Sequence, residues 1–294
     1  MHSKDNRDVF EQIWNDPAVR TALVNLYQFE QGLGPYPGEA KMARLHELGL
    51  ALPKSGRSAL THLGTALGYN LREWRLQVVE KRLQTTLAKL GINEGASILD
   101  FGCGGGQTLL ALSEYRPGRL MGVDRDPEAV SFARFLFEKS GRPEESYEFQ
   151  SGTLAEISRL PDDSFSHIIC RGVLHKVRAG QALEIFSRKL KPGGRLYLLI
   201  LPPGYYLRRF NLVLRSPIWL GYFLLVFFNG CLFSIGGFQI TLRLGKRRLS
   251  ELYFTQTSLA RKLEQLGLEI IESWRNPETG LASTLELIAV KRPG

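Results

Sequence analysis

The chain has 294 residues, 44% hydrophobic and 23% charged, a balance that excludes global disorder and allows one large core with a smaller helper region. A net charge of +9 favours an anionic partner, such as nucleic acid or a lipid surface, without choosing between them. Cys103, Cys170 and Cys231 lie far apart with no CxxC pair, which argues against a metal site and for buried free thiols in a reducing compartment. "MHSKDNRDVFEQIWNDP" reads as no secretion signal, so the expected location is cytoplasmic.

In chain order, residues 8–31 predict one amphipathic helix, and the prolines and glycines of "GPYPGE" end it. "KMARLHELGLALPKSGRSALTHLGTALG" predicts a helix, a strand at Leu50–Leu52, a turn at "PKSG", a second strand, and a helix capped by Thr61. A long helix over 71–90 is expected to bury Leu76, Val79, Leu83, Leu87 and Leu90 on one stripe. Residues 1–94 therefore read as a helical, winged-helix-like region, and 95–294 as a second domain.

After Gly95 strands alternate with helices: "SILDF", "RLMGVD", "SYEFQ", "SHIIC" and "RLYLLIL" are the strands, and about 107–115, 127–140 and 179–190 the helices. That alternation implies an α/β fold with a doubly wound, Rossmann-like sheet and right-handed crossovers. A helix at about 257–266 precedes "LEIIESW" and "TLELIAVK", which are close enough in sequence to pair as an antiparallel hairpin, giving seven strands in all.

Ligands of such sheets bind at the carboxyl ends of the strands. "SILDFGCGGGQTLLAL" ends the first strand on Asp100 and continues as Gly102, Gly104, Gly105 and Gly106, with Gln107 where a dinucleotide fingerprint would place a third glycine. Asp100 would repel a pyrophosphate but suits an ammonium group, and Asp124 ends the second strand where an acid accepts both ribose hydroxyls. An amine, a ribose and no phosphate describe S-adenosylmethionine.

Four segments resemble the motifs of class I S-adenosylmethionine-dependent methyltransferases, in particular the small-molecule, quinone-biosynthesis-like subgroup: "ILDFGCGGG", "GVDRDPEAV", "LPDDSFSHIICRGVLHKV" and "RKLKPGGRLYL". The resemblance covers about 95–201 and 250–291. It implies that Asp100, Gly102 and Gly104 line the methionine end of S-adenosyl-L-methionine, Asp124 with Arg125 the ribose and adenine edge, and Thr153 and Leu154 the adenine. Many relatives carry Asp at the position of Thr153. Arg171 departs from the small polar residue usual there. It is open to the cofactor carboxylate, to an anionic substrate, or to surface pairing with Asp162 or Asp163. His175, just past the fourth strand, is the candidate catalytic base, with a structural role as the alternative. His46, His62 and His167 read as structural.

From Ser216 to Leu242 there is no Asp, Glu, Lys, Arg or His: "SPIWLGYFLLVFFNGCLFSIGGFQITL". Arg208, Arg209 and Arg215 precede it, and Arg243, Lys246, Arg247 and Arg248 follow. A single membrane span is rejected because strands of one sheet lie on both sides of it in sequence. "NG" at 229–230 predicts two arms instead. They form either an interfacial hairpin on an anionic membrane or a lid or dimer contact around a lipophilic substrate, within an insertion of about 203–248. The winged-helix-like segment resembles the dimerisation element of some O-methyltransferases, so a homodimer is open. Its "KMARLHELG" is short and mostly apolar, unlike a DNA-reading helix, which argues against nucleic acid as a partner. The expected function is methylation of a hydrophobic small molecule such as a quinone, isoprenoid or phenol. RNA or protein methylation, and a non-catalytic cofactor-binding module, are the alternatives.

Overall fold

The computed structural model describes residues 6–54, 57–207, 217–244, 247–276 and 284–293. The N-terminal third carries α1 (Arg7–Asn15), α2 (Pro17–Glu30), α3 (Glu39–Glu47), β1 (Ala51–Lys54), β2 (Arg57–Leu60), α4 (His62–Trp74) and α5 (Gln84–Lys89). The expected helix over 8–31 is two helices. Asp16 leaves the helical region and its side chain accepts the N–H groups of Ala18 and Val19, while Pro17 starts α2 without needing a donor. "NDP" was the signal of that break. Strands β1 and β2 form the expected two-stranded wing, and Thr61 caps α4 by accepting the Gly64 N–H at 3.2 Å.

The long helix expected over 71–90 is also interrupted. Residues Arg75–Val79 wind as a π-helical turn, and Lys81 follows with φ of 51° before α5 starts. The wider turn rotates Gln77 inward and leaves Val79 56% exposed, so the expected apolar stripe does not run straight through. Leu83, Leu87 and Leu90 are buried as expected.

The remaining elements are β3 (Ser97–Phe101), α6 (Gln107–Leu112), β4 (Arg119–Asp124), α7 (Pro127–Lys139), β5 (Tyr147–Ser151), α8 (Leu154–Ser158), β6 (Phe165–Arg171), α9 (Ala179–Lys189) and β7 (Leu190–Ile200). They are followed by α10 (Pro203–Leu207), α11 (Pro217–Gly236), β8 (Leu242–Leu244), β9 (Arg247–Leu249), α12 (Gln256–Gln265), β10 (Leu268–Asn276) and β11 (Thr284–Lys291). Seven strands form one sheet in the order β5-β4-β3-β6-β7-β11-β10. Strands β3, β6 and β7 run parallel, and β11 runs antiparallel to both β7 and β10, so the C-terminal hairpin closes the sheet as the sequence implied.

By contacts the chain divides into two compact units, one of residues 1–87, 103–114 and 122–151, the other of 88–102, 115–121 and 152–294. In the first, Phe10 packs edge-on against Phe132 at 5.4 Å in a core shared by α1, α2, α4 and α7. In the second, the inner strands are largely apolar at their centres: Ile168, Ile169, Cys170, Leu196 and Leu198 are fully buried, as a sheet covered on both faces requires.

The uncharged stretch differs most from expectation. It forms one 20-residue helix, α11, that continues through Asn229 and Gly230 instead of folding into two arms. Asn229 is fully buried and bonds the chain that returns alongside: its amide donates to the carbonyls of Ile240 and Glu251, and its Oδ1 accepts the Ile240 N–H. A side-chain amide with three partners outside the helix has no reason to break it.

Candidate functional site

The first unit builds the glycine turn. Gly104 and Gly106 have φ of 53° and 75°, left-handed values that only glycine adopts without strain. A Cβ on Gly106 would lie 2.9 Å from the Phe149 ring. Asp124, at the end of β4, fixes the turn from one side: its Oδ2 accepts the Gly104 N–H and its Oδ1 the Asp126 N–H, both at 2.9 Å. Asn70 of α4 fixes it from the other. Its Oδ1 accepts the Gly105 N–H at 2.8 Å, and Gln107 Nε2 donates to the Asn70 carbonyl at 2.8 Å. Gln77, presented by the π-turn, accepts the Thr108 hydroxyl at 2.8 Å.

Asn70, Gln77 and Gln107 thus hold the turn, and the first two escaped the sequence reading. Their signal was two amides on a helix whose inward face is otherwise apolar. Arg125 is exposed beside Asp124.

The second unit carries the rest of the expected site. Asp100 is buried at the end of β3, level with Ile169 of β6. Gly102 follows with φ of 81°, and a Cβ there would lie 2.2 Å from Val173. Cys170 is buried beside them; burial, and then the Asp100 charge, pushes its thiol far above the usual range, so it is inert. Leu154 is buried, while Thr153 is the exposed N-cap of α8. The Thr153 hydroxyl donates to Glu156 at 2.9 Å and accepts the Ala155 N–H at 3.3 Å in a capping box.

His175 is buried, and burial lowers its pKa to about 3. Its Nδ1 has no hydrogen-bond partner. A neutral imidazole with so low a pKa is a weak base. His167 is structural: its ring nitrogens meet the Leu90 carbonyl at 3.1 Å and the Ser166 hydroxyl at 3.0 Å. Asp162 and Asp163, one set of partners considered for Arg171, are paired instead with Lys189 at 2.6 Å and Lys291 at 2.8 Å. Arg171 donates to the hydroxyl of Tyr197.

A cover lies over the carboxyl ends of β6 and β7. Phe254 N–H donates to the Leu201 carbonyl, just past β7, at 3.2 Å. Gln239 bonds both the Val177 carbonyl and the Ala179 N–H, where the connection from β6 enters α9, at 2.9 Å. Leu201, Tyr206, Phe223 and Val226 are buried together with Tyr205, Tyr222, Phe227 and Tyr253 around them. The Tyr222 hydroxyl, pushed up by burial and then by its hydrogen bond to Glu251, is neutral.

Residues 99–198 match the family profile described as "Methyltransferase domain". This segment is a methyltransferase domain. The seven-stranded sheet of the chain, with β10 and β11 closing it beyond this segment, has the class I methyltransferase fold. The chain is 39% identical over 103 residues to the uncharacterized methyltransferase YcgJ of Bacillus subtilis, covering 35% of this chain and 39% of that relative. It is 35% identical over 119 residues to a ubiquinone biosynthesis O-methyltransferase of Xanthomonas oryzae, covering 40% of this chain and 47% of that one. Other relatives are named ribosomal protein L11 methyltransferase, such as one from Desulforapulum autotrophicum at 36% over 107 residues. The chain therefore spans less than half the length of these curated relatives. Among solved structures, a putative methyltransferase of Haloferax volcanii in complex with the Trm112 activator superposes with TM-score 0.53 at 19% identity, covering 78% of this chain and 94% of that one.

S-adenosylmethionine is the cofactor that goes with this domain, and the residues present fit it. The turn offers bare backbone at left-handed glycines and no lysine or arginine of its own, as a phosphate-free ligand allows. Each Asp124 oxygen accepts one N–H and keeps a second lone pair for a ribose hydroxyl.

Proposed function

We propose that the protein transfers the methyl group of S-adenosylmethionine to a hydrophobic small molecule, quinone-, isoprenoid- or phenol-like, that reaches it from a membrane surface. When bound, the cofactor supplies an electrophilic methyl group on a sulfonium. In this reading Asp100, Gly102 and Gly104 hold its methionine end, Asp124 and Arg125 its ribose and adenine edge, and Thr153 and Leu154 its adenine. The chain's own contribution is alignment of the acceptor and exclusion of water, which can supply much of the rate of an in-line displacement. His175, buried and neutral, fits a packing role better than that of a base.

The observation that carries the acceptor class is the two-sidedness of α11. Its inner face, Phe223, Val226 and Phe233, is buried, whereas its outer face presents Leu220, Leu224, Phe228, Cys231 and Ile235 at helical spacing. The outer stripe has no charge, and seven basic residues flank the segment in sequence. An interfacial helix on an anionic bilayer fits that pattern. A transbilayer path does not, because Asn229 at the helix midpoint bonds polar backbone at Ile240 and Glu251.

A second reading, methylation of a ribosomal protein or RNA, draws on the relatives named for protein L11 and on the +9 charge. The deciding experiment incubates the protein with methyl-labelled cofactor and a host lipid extract, ribosomes, or bulk RNA. Label is expected in the lipid fraction, and label confined to ribosomal protein or RNA overturns the proposal. Flotation with vesicles containing phosphatidylglycerol tests the membrane half separately, with L224E/F228E expected to abolish it.

A further inference from the structure

Arg171 closes β6, and sheet register defines its surroundings. It pairs with Leu199 of β7, which in turn pairs with Glu286 of β11. Tyr197 lies two residues before Leu199 and so projects from the same face. Along this row a polar chain crosses an apolar sheet. Arg171 donates to the Tyr197 hydroxyl, and that hydroxyl donates to Glu286 Oε2 at 2.6 Å. Tyr197 and Glu286 are both fully buried, and Glu286 Oε1 has no hydrogen-bond partner. Trp274 stacks flat on Tyr197, with ring centroids 6.3 Å apart and planes 8° apart.

Burying a carboxylate and a phenol to steady one partly exposed arginine is costly, since burial strips both groups of water. A surface arginine needs no such support. The expense makes sense where the position of the guanidinium matters. Across the sheet Arg171 meets Tyr197 of β7 and, beyond it, Glu286 of β11. The aromatic cover formed by α10, α11 and residues 250–254 sits at the ends of the same two strands, β6 and β7.

We propose that Arg171 is the anion-binding residue of the acceptor site: it anchors an oxyanion, carboxylate or phenolate-like, on an otherwise hydrophobic molecule, with Tyr197 and Glu286 as positioning residues. A guanidinium presents its N–H groups in a planar fork that matches a carboxylate. The inference rests on the methyltransferase reading and narrows its acceptor from any greasy molecule to an acidic one. It also moves Arg171 from the cofactor carboxylate to the acceptor.

Isothermal titration with naphthoate and its neutral isostere naphthamide, with and without S-adenosylhomocysteine, tests this directly. The wild type should prefer naphthoate by about tenfold or more, the scale of one charge-assisted fork. R171M should erase the preference, R171K should retain part of it, and Y197F and E286Q should narrow it. Affinity for S-adenosylhomocysteine should stay within about threefold in all four variants. Equal affinity for the two probes, binding of neither, or a preference that survives R171M would overturn the proposal. So would an R171M variant that loses S-adenosylhomocysteine alone, because Arg171 would then serve the cofactor. If the wild type fails to bind S-adenosylhomocysteine, the methyltransferase reading falls, and the naphthoate preference still decides the arginine.

Discussion

Asn229 and Ile240 exchange a matched pair of hydrogen bonds: the Asn229 amide donates to the Ile240 carbonyl at 3.0 Å, and its Oδ1 accepts the Ile240 N–H at 2.9 Å. A side chain thereby imitates a strand and ties the middle of α11 to the chain that returns beside it. The same amide also reaches the Glu251 carbonyl at 3.2 Å, next to the aromatic cover.

N229A removes three hydrogen bonds to part-buried backbone groups at Ile240 and Glu251 and should cost about 2 kcal/mol. Denaturant unfolding measures the loss. Limited proteolysis should show new cutting between residues 237 and 250 while the sheet stays resistant. An N229A protein as stable as the wild type would mean that water replaces all three bonds.

Asp124 shapes the turn through Gly104, and in the proposed function its remaining lone pairs accept the ribose hydroxyls. D124N turns an NH2 group toward N–H donors or toward the hydroxyls. Affinity for S-adenosylhomocysteine should fall by about tenfold to hundredfold, read by calorimetry, with a smaller drop in melting temperature.

Gly102 and Val173 leave no room for a methyl group, the built Cβ lying 2.2 Å from the valine. G102A should destabilise by about 2 kcal/mol or more, from the clash together with a left-handed alanine. V173A in the same chain should recover the steric part only, so the double mutant should be more stable than the sum of the single effects predicts. Additive losses would mean that the backbone strain at φ of 81° is the whole cost.

His175 is neutral in the fold, with a pKa of about 3 against 6.5 for a free imidazole. Between those values the unfolded chain binds a proton that the folded one does not, so stability is complete above about pH 6.5 and is lost as the pH falls. His167 is shifted in the same direction by burial and adds to the effect. Each group steepens the fall by up to about 1.4 kcal/mol per pH unit. H175Q should flatten the acid limb of a stability-against-pH curve by one group's share. It should leave methyl transfer above pH 7 within about tenfold if His175 is not a base.

The strand positions, the final hairpin and the glycine turn were legible in the sequence because each rests on local pattern: apolar runs closed by Asp100 and Asp124, and four glycines in five residues. The errors arose where a single side chain overrides the surrounding pattern. Asp16 splits the first helix by capping Pro17–Glu30, and Gln77 rides a π-turn that a 3.6-residue period cannot register. Asn229 reads as a turn residue beside glycine until its partners, 11 and 22 residues further on, are known. The Arg171–Tyr197–Glu286 row was invisible for the same reason: strands far apart in sequence bring it together.

The direct test of the methyl-donor site is a calorimetric titration of the wild type and of D124A with S-adenosylhomocysteine. Saturable one-to-one binding in the micromolar range, weakened at least about tenfold in D124A, is the expected result. Absence of saturable binding to the wild type, or equal affinity in the two proteins, would contradict it.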